Sequence, residues 1–319
     1  MRTAALALAL VLACRPAFSQ RPSDPALLIP QSAPELDYVA ETDPLTFPAG
    51  ATMGAPASLA FDARGHLFVL NRGPQPLAEF DADGKFIRAF GEGLFARSHG
   101  LRIDGDGNLW ATDVGAHVVM KLDPQGQVLL TLGTKGQAGD WDEAVQSHRL
   151  NQPNDVAIAR NGDIFVVQGH TPGATGDPRV LKFDRTGKFI KSWGGKGKEP
   201  GKFEVAHGIA IDAAGLLWVA DRENQRIQIF DAEGNFIKAL KYGGLPCALA
   251  IGSEFIYMVN GFAGQVLKLD LAGKVLAATG KPGKGAGQFG EAHFIAVSPK
   301  GELYVADSVN GTVQKFAKQ

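Results

Sequence analysis

The chain is poor in cysteine. It has two in 319 residues, Cys14 and Cys247, and Cys14 lies in the N-terminal stretch discussed below. That excludes an intrachain disulfide in the mature domain, so core packing must hold the fold. It also lacks a block of like charge. The formal net charge is −1 and no Lys/Arg run occurs, which excludes the basic footprint of a nucleic-acid binder or a polybasic membrane patch. No apolar run reaches the length of a transmembrane helix. Hydrophobic residues make up 45% and charged residues 20%, a balance that excludes a disordered chain.

The first twenty residues, MRTAALALALVLACRPAFSQ, read as an export signal over 1–19. Arg2 is the basic start, Ala4 to Ala13 the apolar stretch, and Ala17-Phe18-Ser19 the small-x-small cleavage site before Gln20. Val11-Leu12-Ala13-Cys14 also has the outline of a lipoprotein box, so the product is either released or lipid-anchored through Cys14. Residues 20–34 (QRPSDPALLIPQSAP) carry proline and polar residues without periodicity and read as a linker or arm.

What is abundant is glycine, with 40 residues, and repetition. HGLRIDGDGNLWATD, HGIAIDAAGLLWVAD and HFIAVSPKGELYVAD are copies of one unit, opening at His99, His207 and His293. ASLAFDARGHLFVLN, NDVAIARNGDIFVVQ and CALAIGSEFIYMVN lie between and before them. Each unit reads as four short strands joined by Asp/Gly turns. A period of about forty to fifty-four residues is that of a propeller. Six units start near Pro56, His99, Pro153, His207, Pro246 and His293. The last lacks a fourth strand, which Glu35 to Phe47 can supply. The expectation is therefore an all-β, six-bladed propeller over 35–319, its ring closed by an N-terminal strand so that no long edge stays open.

The residue at one repeat position runs Ala57, His99, Asn154, His207, Cys247, His293. Alternate blades of a six-bladed ring lie about 120° apart, so this alternation aims three imidazoles at a common centre. Three neutral imidazoles with an open fourth position form a catalytic zinc arrangement. Residues just after the second strand of each blade share the same face, including Arg72, Asp113, His170, Asp221, Arg222, Asn260 and Asp307. Arginine can grip a carboxylate in bidentate fashion. Asp113, Asp221 and Asp307 read as caps of their own loops, or else as partners that orient the imidazoles. Arg222, in DRENQRI, faces the plain alternative of pairing with Glu223. Cys247 reads as a small core residue, or else as a soft fourth ligand. His66, His117 and His148 are expected to be solvated.

The joins GGKGKEPGKFEVAHGIAID and GKPGKGAGQFGEAHFIAVS carry the Gly-rich loop, Gly-x-Phe and His of NHL repeats. Together with HGLRIDGDGNLWATDVGAHVVMKLDP and HGIAIDAAGLLWVADRENQRIQIF, they make the chain resemble the peptidyl-α-hydroxyglycine α-amidating lyases over nearly the whole mature domain. That resemblance implies zinc ligands at His99, His207 and His293. It implies active-site arginines at Arg72 (LNRG) and Arg222 (ADREN), and a peptide C-terminal or other small substrate cleaved to an amide and glyoxylate. His170 stands in place of the family's catalytic tyrosine, within VVQGHTPGATGDPR. Phe294 stands where the family has an aspartate for a structural Ca²⁺, which argues against that ion here, and the family's paired cysteines are absent. The expected protein is an exported, monomeric propeller of periplasmic or secreted location. The competing reading is a non-catalytic NHL propeller that binds a peptide or protein partner. A Ca²⁺ lactonase is a third reading, which imidazole ring positions disfavour.

Overall fold

In a computed structural model, described over residues 21–171 and 177–318, six four-stranded antiparallel sheets form the six blades. Residues 1–20, where the sequence leads one to expect an export signal and which include Cys14, lie outside the described residues. Blade 1 runs from Pro56 to Phe90, blade 2 from Ser98 to Leu132 and blade 3 from Pro153 to Gly194. Blade 4 runs from Ala206 to Lys241, blade 5 from Pro246 to Thr279, and blade 6 holds the strands Ala292–Val297, Leu303–Asp307 and Thr312–Lys318. Blade 6 takes its outermost strand from Tyr38–Thr42, which pairs antiparallel with Thr312–Lys318. The ring is closed as the sequence predicts.

The second strand of every blade is buried along its full length, as in Leu67–Asn71, Leu217–Asp221 and Leu303–Asp307. Such a strand is covered on both faces by neighbouring blades, so it reads as a continuous apolar run rather than an alternation. The fourth strands face solvent, and Phe236–Lys241 is nearly all exposed. Between blades, side chains such as Trp110, Phe165, Phe230 and Phe316 are buried. Each contributes on the order of 1.5–3 kcal/mol by leaving water. In blades 1, 2 and 4 an Asp organises the first hairpin turn. Asp104 accepts backbone N–H groups of Asp106 and Asn108 and the Trp110 indole N–H, and Asp212 repeats the set with Ala214, Leu216 and Trp218.

Residues 21–34 form an arm laid against the ring rather than a free linker. Gln31 exchanges hydrogen bonds with Gln265, its Oε1 accepts the Gly243 N–H at 2.9 Å, and Pro34 and Leu36 bond Ala278 at the rim of blade 5. Its polar residues are spent on that outer edge, which composition alone does not disclose.

One irregularity recurs in all six blades and sets up everything that follows. The first two residues of the innermost strand slip out of register against the second strand: Pro56 pairs with Asn71 but Ser58 with Leu70, and Ala206 with Asp221 but Gly208 with Ala220. The residue left over is Ala57, Asn154, His207, Cys247 or His293, and in blade 2 the skipped pair is His99 and Gly100. A bulge leaves its extra residue outside the ladder and re-aims it. Here it frees one side chain and one carbonyl per blade at the axis.

Candidate functional site

Bulges and alternation together build the centre. His99, His207 and His293 are buried, and one ring nitrogen of each falls within 4.8 Å of those of the other two. Their ring centroids are 4.7–5.1 Å apart. Each Nδ1–H donates to the carbonyl of the bulge residue in the next blade: His99 to Asn154 at 2.7 Å, His207 to Cys247 at 3.0 Å and His293 to Ala57 at 2.6 Å. A carbonyl can only accept, so Nδ1 carries the proton and Nε2 keeps its lone pair. Nε2 of His99 and of His207 are buried without a hydrogen-bond partner. A buried acceptor left unpaired costs about 1–3 kcal/mol, and here the vacant lone pairs face one point. The donor set fits a tetrahedral metal with three imidazoles and one open position.

The histidine–glycine dipeptides follow from this. A Cβ at Gly100 would come within 2.6 Å of the Asn154 carbonyl oxygen, and one at Gly208 within 2.3 Å of that of Cys247. These are the oxygens that orient His99 and His207, so glycine gives them room. Blade 6 has Phe294 instead. Its ring lies 5.6, 6.0 and 5.0 Å from those of His99, His207 and His293, on the axis below the cluster. The Arg102 guanidinium sits 5.5 Å from that ring and pairs with buried Asp155. Phe294 offers no oxygen ligand where a calcium aspartate was looked for.

Burial, followed by neighbouring positive groups, holds His99, His170 and His207 well below the usual imidazole range. Burial likewise takes His293 to about 4, although the Glu291 carboxylate pulls it upward. All four rings are therefore neutral near pH 7, the form a metal ligand requires.

Above the cluster, His170 follows the second strand of blade 3. It is buried, its ring lies 4.6 Å from His99 and 5.7 Å from His207, and its Nδ1 has no partner. Arg72 is half-buried; its Nε donates to the Ser98 carbonyl at 3.3 Å, and burial and the like charge of Arg97 push it down to about 10. Arg222 is buried. Both Nε and one terminal nitrogen bind Glu223 Oε1 at 2.8 and 2.7 Å, and Nη1 stands 4.0 Å from Glu291. The plain pairing with Glu223 is thus present, at the site rather than on the rim. Burial alone would lower Arg222, but Glu223 foremost holds it above its ordinary value.

Asp113, Asp221 and Asp307 cap loops and do not touch the imidazoles. Asp113 accepts the N–H groups of Ala96 and Arg97, Asp221 that of Glu204, and Asp307 those of Gly290 and Glu291. Backbone carbonyls do the orienting instead. The Cys247 thiol faces Gly261, outside the ligand cluster, and burial pushes it up from its ordinary range. His148 is exposed as expected. His66 and His117 are only partly exposed: His66 Nδ1 pairs with buried Glu79 at 2.9 Å, and His117 Nδ1 accepts the Gln152 N–H at 3.1 Å. Short loops fold these two rings back onto the blade edges.

Sequence reasoning missed Glu291. It is wholly buried two residues before His293, with its Oε2 accepting the Ser308 hydroxyl at 2.5 Å. Burial pushes its carboxyl up, but His293, Arg222, Ser308 and Arg72 together hold it below the usual range. Its counterpart two residues before His99 is Arg97, and the repeat alignment itself carried that signal.

The NHL repeat family model matches residues 203–230 and 289–316. The chain is 31% identical over 307 residues to the mouse (Mus musculus) peptidyl-glycine alpha-amidating monooxygenase, covering 82% of this chain and 30% of that protein. It is 30% identical over 297 residues to peptidyl-alpha-hydroxyglycine alpha-amidating lyase 1 of Drosophila melanogaster, covering 80% of this chain and 52% of that one. The chain thus spans 30% of the length of the first of these relatives and 52% of the second. Among solved structures, virginiamycin B lyase from Staphylococcus aureus superposes with a TM-score of 0.61 at 13% identity, covering 88% of this chain and 99% of that one, a likeness of fold alone.

Proposed function

This six-bladed NHL propeller resembles the peptidyl-α-hydroxyglycine α-amidating lyases, and from that premise we propose that it is an exported, zinc-dependent carbon–nitrogen lyase. Its substrate is an N-acyl α-hydroxyglycine, such as a peptide C-terminus, and its products are the amide and glyoxylate. The observation that carries the reading is the convergence of three neutral imidazoles whose Nδ1–H groups are all fixed by carbonyls.

His99, His207 and His293 would hold the metal through Nε2. Bound there, zinc supplies Lewis acidity toward a substrate oxygen. Arg72, whose terminal guanidinium nitrogens meet no carboxylate among the described residues, binds the substrate carboxylate. His170 takes the hydroxyl proton at Nδ1. The former O–H electron pair becomes the C=O of glyoxylate, the C–N bond breaks, and its pair goes to nitrogen. His170 returns the proton there, completing the amide. A depressed imidazole pKa favours that return step. Arg222 sits behind, neutralising Glu223 and facing Glu291, and so fixes the charge around His293.

The test is elemental analysis of the folded protein, with glyoxylate release assayed on α-hydroxyhippurate. The expected result is about one zinc per chain and stoichiometric glyoxylate and benzamide. A folded protein that takes up no metal when zinc is supplied ends the lyase reading and leaves a propeller that binds a peptide or protein.

A further inference from the structure

Arg72 and Arg97 line one cavity at the mouth of the site, with Ser98, Gly73, Pro74 and Phe95 around them. Both are half-buried, and among the described residues neither guanidinium lies within ion-pair distance of a carboxylate. Among the described residues the two make one side-chain hydrogen bond, Arg72 Nε to the Ser98 carbonyl, and the Arg97 side chain makes none. Arg97 is held by its backbone, its N–H on Asp113 at 2.9 Å and its carbonyl accepting the Val114 N–H at 3.1 Å. Arg222, the other arginine of the site, already spends two of its three nitrogens on Glu223.

Two like charges set side by side, half out of water, with Glu291 felt only at a distance and no carboxylate in contact, are costly unless an anion joins them. Building on the function proposed above, we infer that Arg97 is a specificity-determining residue which, with Arg72, forms a two-arginine clamp for the α-carboxylate of the substrate. Arg222 is a positioning residue whose charge serves Glu223 and Glu291. A carboxylate spanning two guanidiniums is fixed in both place and plane, and the clamp rejects neutral isosteres, because these leave two half-buried cations without a contacting anion.

The test needs no turnover. N-benzoylglycine and its neutral carboxamide are titrated calorimetrically into the wild-type protein, Arg97→Gln, Arg97→Lys and Arg222→Gln, each checked for a native melting transition. The wild type should prefer the carboxylate, and Arg97→Gln should lose about tenfold or more of that preference, the value of one charge-assisted hydrogen bond. Arg97→Lys should keep part of it. A merely structural defect would weaken both ligands alike and leave the ratio unchanged. The inference is overturned if the wild type shows no preference, or if Arg97→Gln keeps it while Arg222→Gln abolishes it. A wild type that prefers the carboxylate yet releases no glyoxylate from α-hydroxyhippurate would overturn the lyase reading and leave the clamp standing.

Discussion

Blades 2, 4 and 6 and blades 1, 3 and 5 share strand order, turns and bulge, yet they give the centre different things. At the bulge position the even blades contribute imidazole side chains and the odd ones backbone carbonyls, from Asn154, Cys247 and Ala57. A side-chain role restricts the residue to one type, whereas a carbonyl role accepts almost any residue. That is why alanine, asparagine and cysteine can occupy equivalent places in one ring. The same fold element thus serves chemistry in one half of the molecule and orientation in the other.

The contrast breaks most sharply at an even blade. His207→Ala removes a ligand, and its metal affinity should fall by more than the roughly 10–100-fold that losing an outer hydrogen-bond partner costs. Metal content after dialysis reads this, and a retained zinc would show that the three rings do not act as one set. His170→Gln tests the ring above the cluster. It should keep its metal and lower kcat by about 10²–10⁴-fold, the usual worth of a positioned acid–base group. An unchanged kcat would take the proton transfer away from His170.

A third experiment sharpens the difference through pH. The folded histidines titrate below their ordinary 6.5, His293 at about 4, so the fold favours their neutral form. That stability is fully present above about pH 6.5 and is lost as pH falls toward the folded values. The Tm of metal-free protein should therefore drop between pH 6.5 and 4, and less so in His293→Gln. A flat Tm across that window would contradict the neutral ring. The smallest effect belongs to an odd blade: Cys247→Ala leaves the carbonyl in place, so metal content should be unchanged and stability should fall by only about 1 kcal/mol. Zinc loss in that variant would give the thiol the ligand role that its direction toward Gly261 denies it.

The ring of six was legible because apolar strands and Asp/Gly turns repeat in the chain, and the histidine set because it falls on one repeat position. The bulge was not, since a register slip leaves no composition behind. Nor were the orienting carbonyls, for the reason that makes Ala57 and Cys247 interchangeable. Asp113 and Asp307 were read correctly as loop caps, but what they position, Arg97 and Glu291, depends on chain folding back over 16 residues. The docking of Gln31 on blade 5 depends on contacts 234 residues apart.

Phe294 and the Arg102–Asp155 pair stop the axis directly beneath the histidines. The propeller is thus a well rather than a tunnel, with a single opening for traffic in both directions. Whatever enters last must leave first. In the proposed reaction both products therefore leave past Arg72 and Arg97, and glyoxylate, which keeps the carboxylate those arginines hold, competes with the next substrate at that entrance.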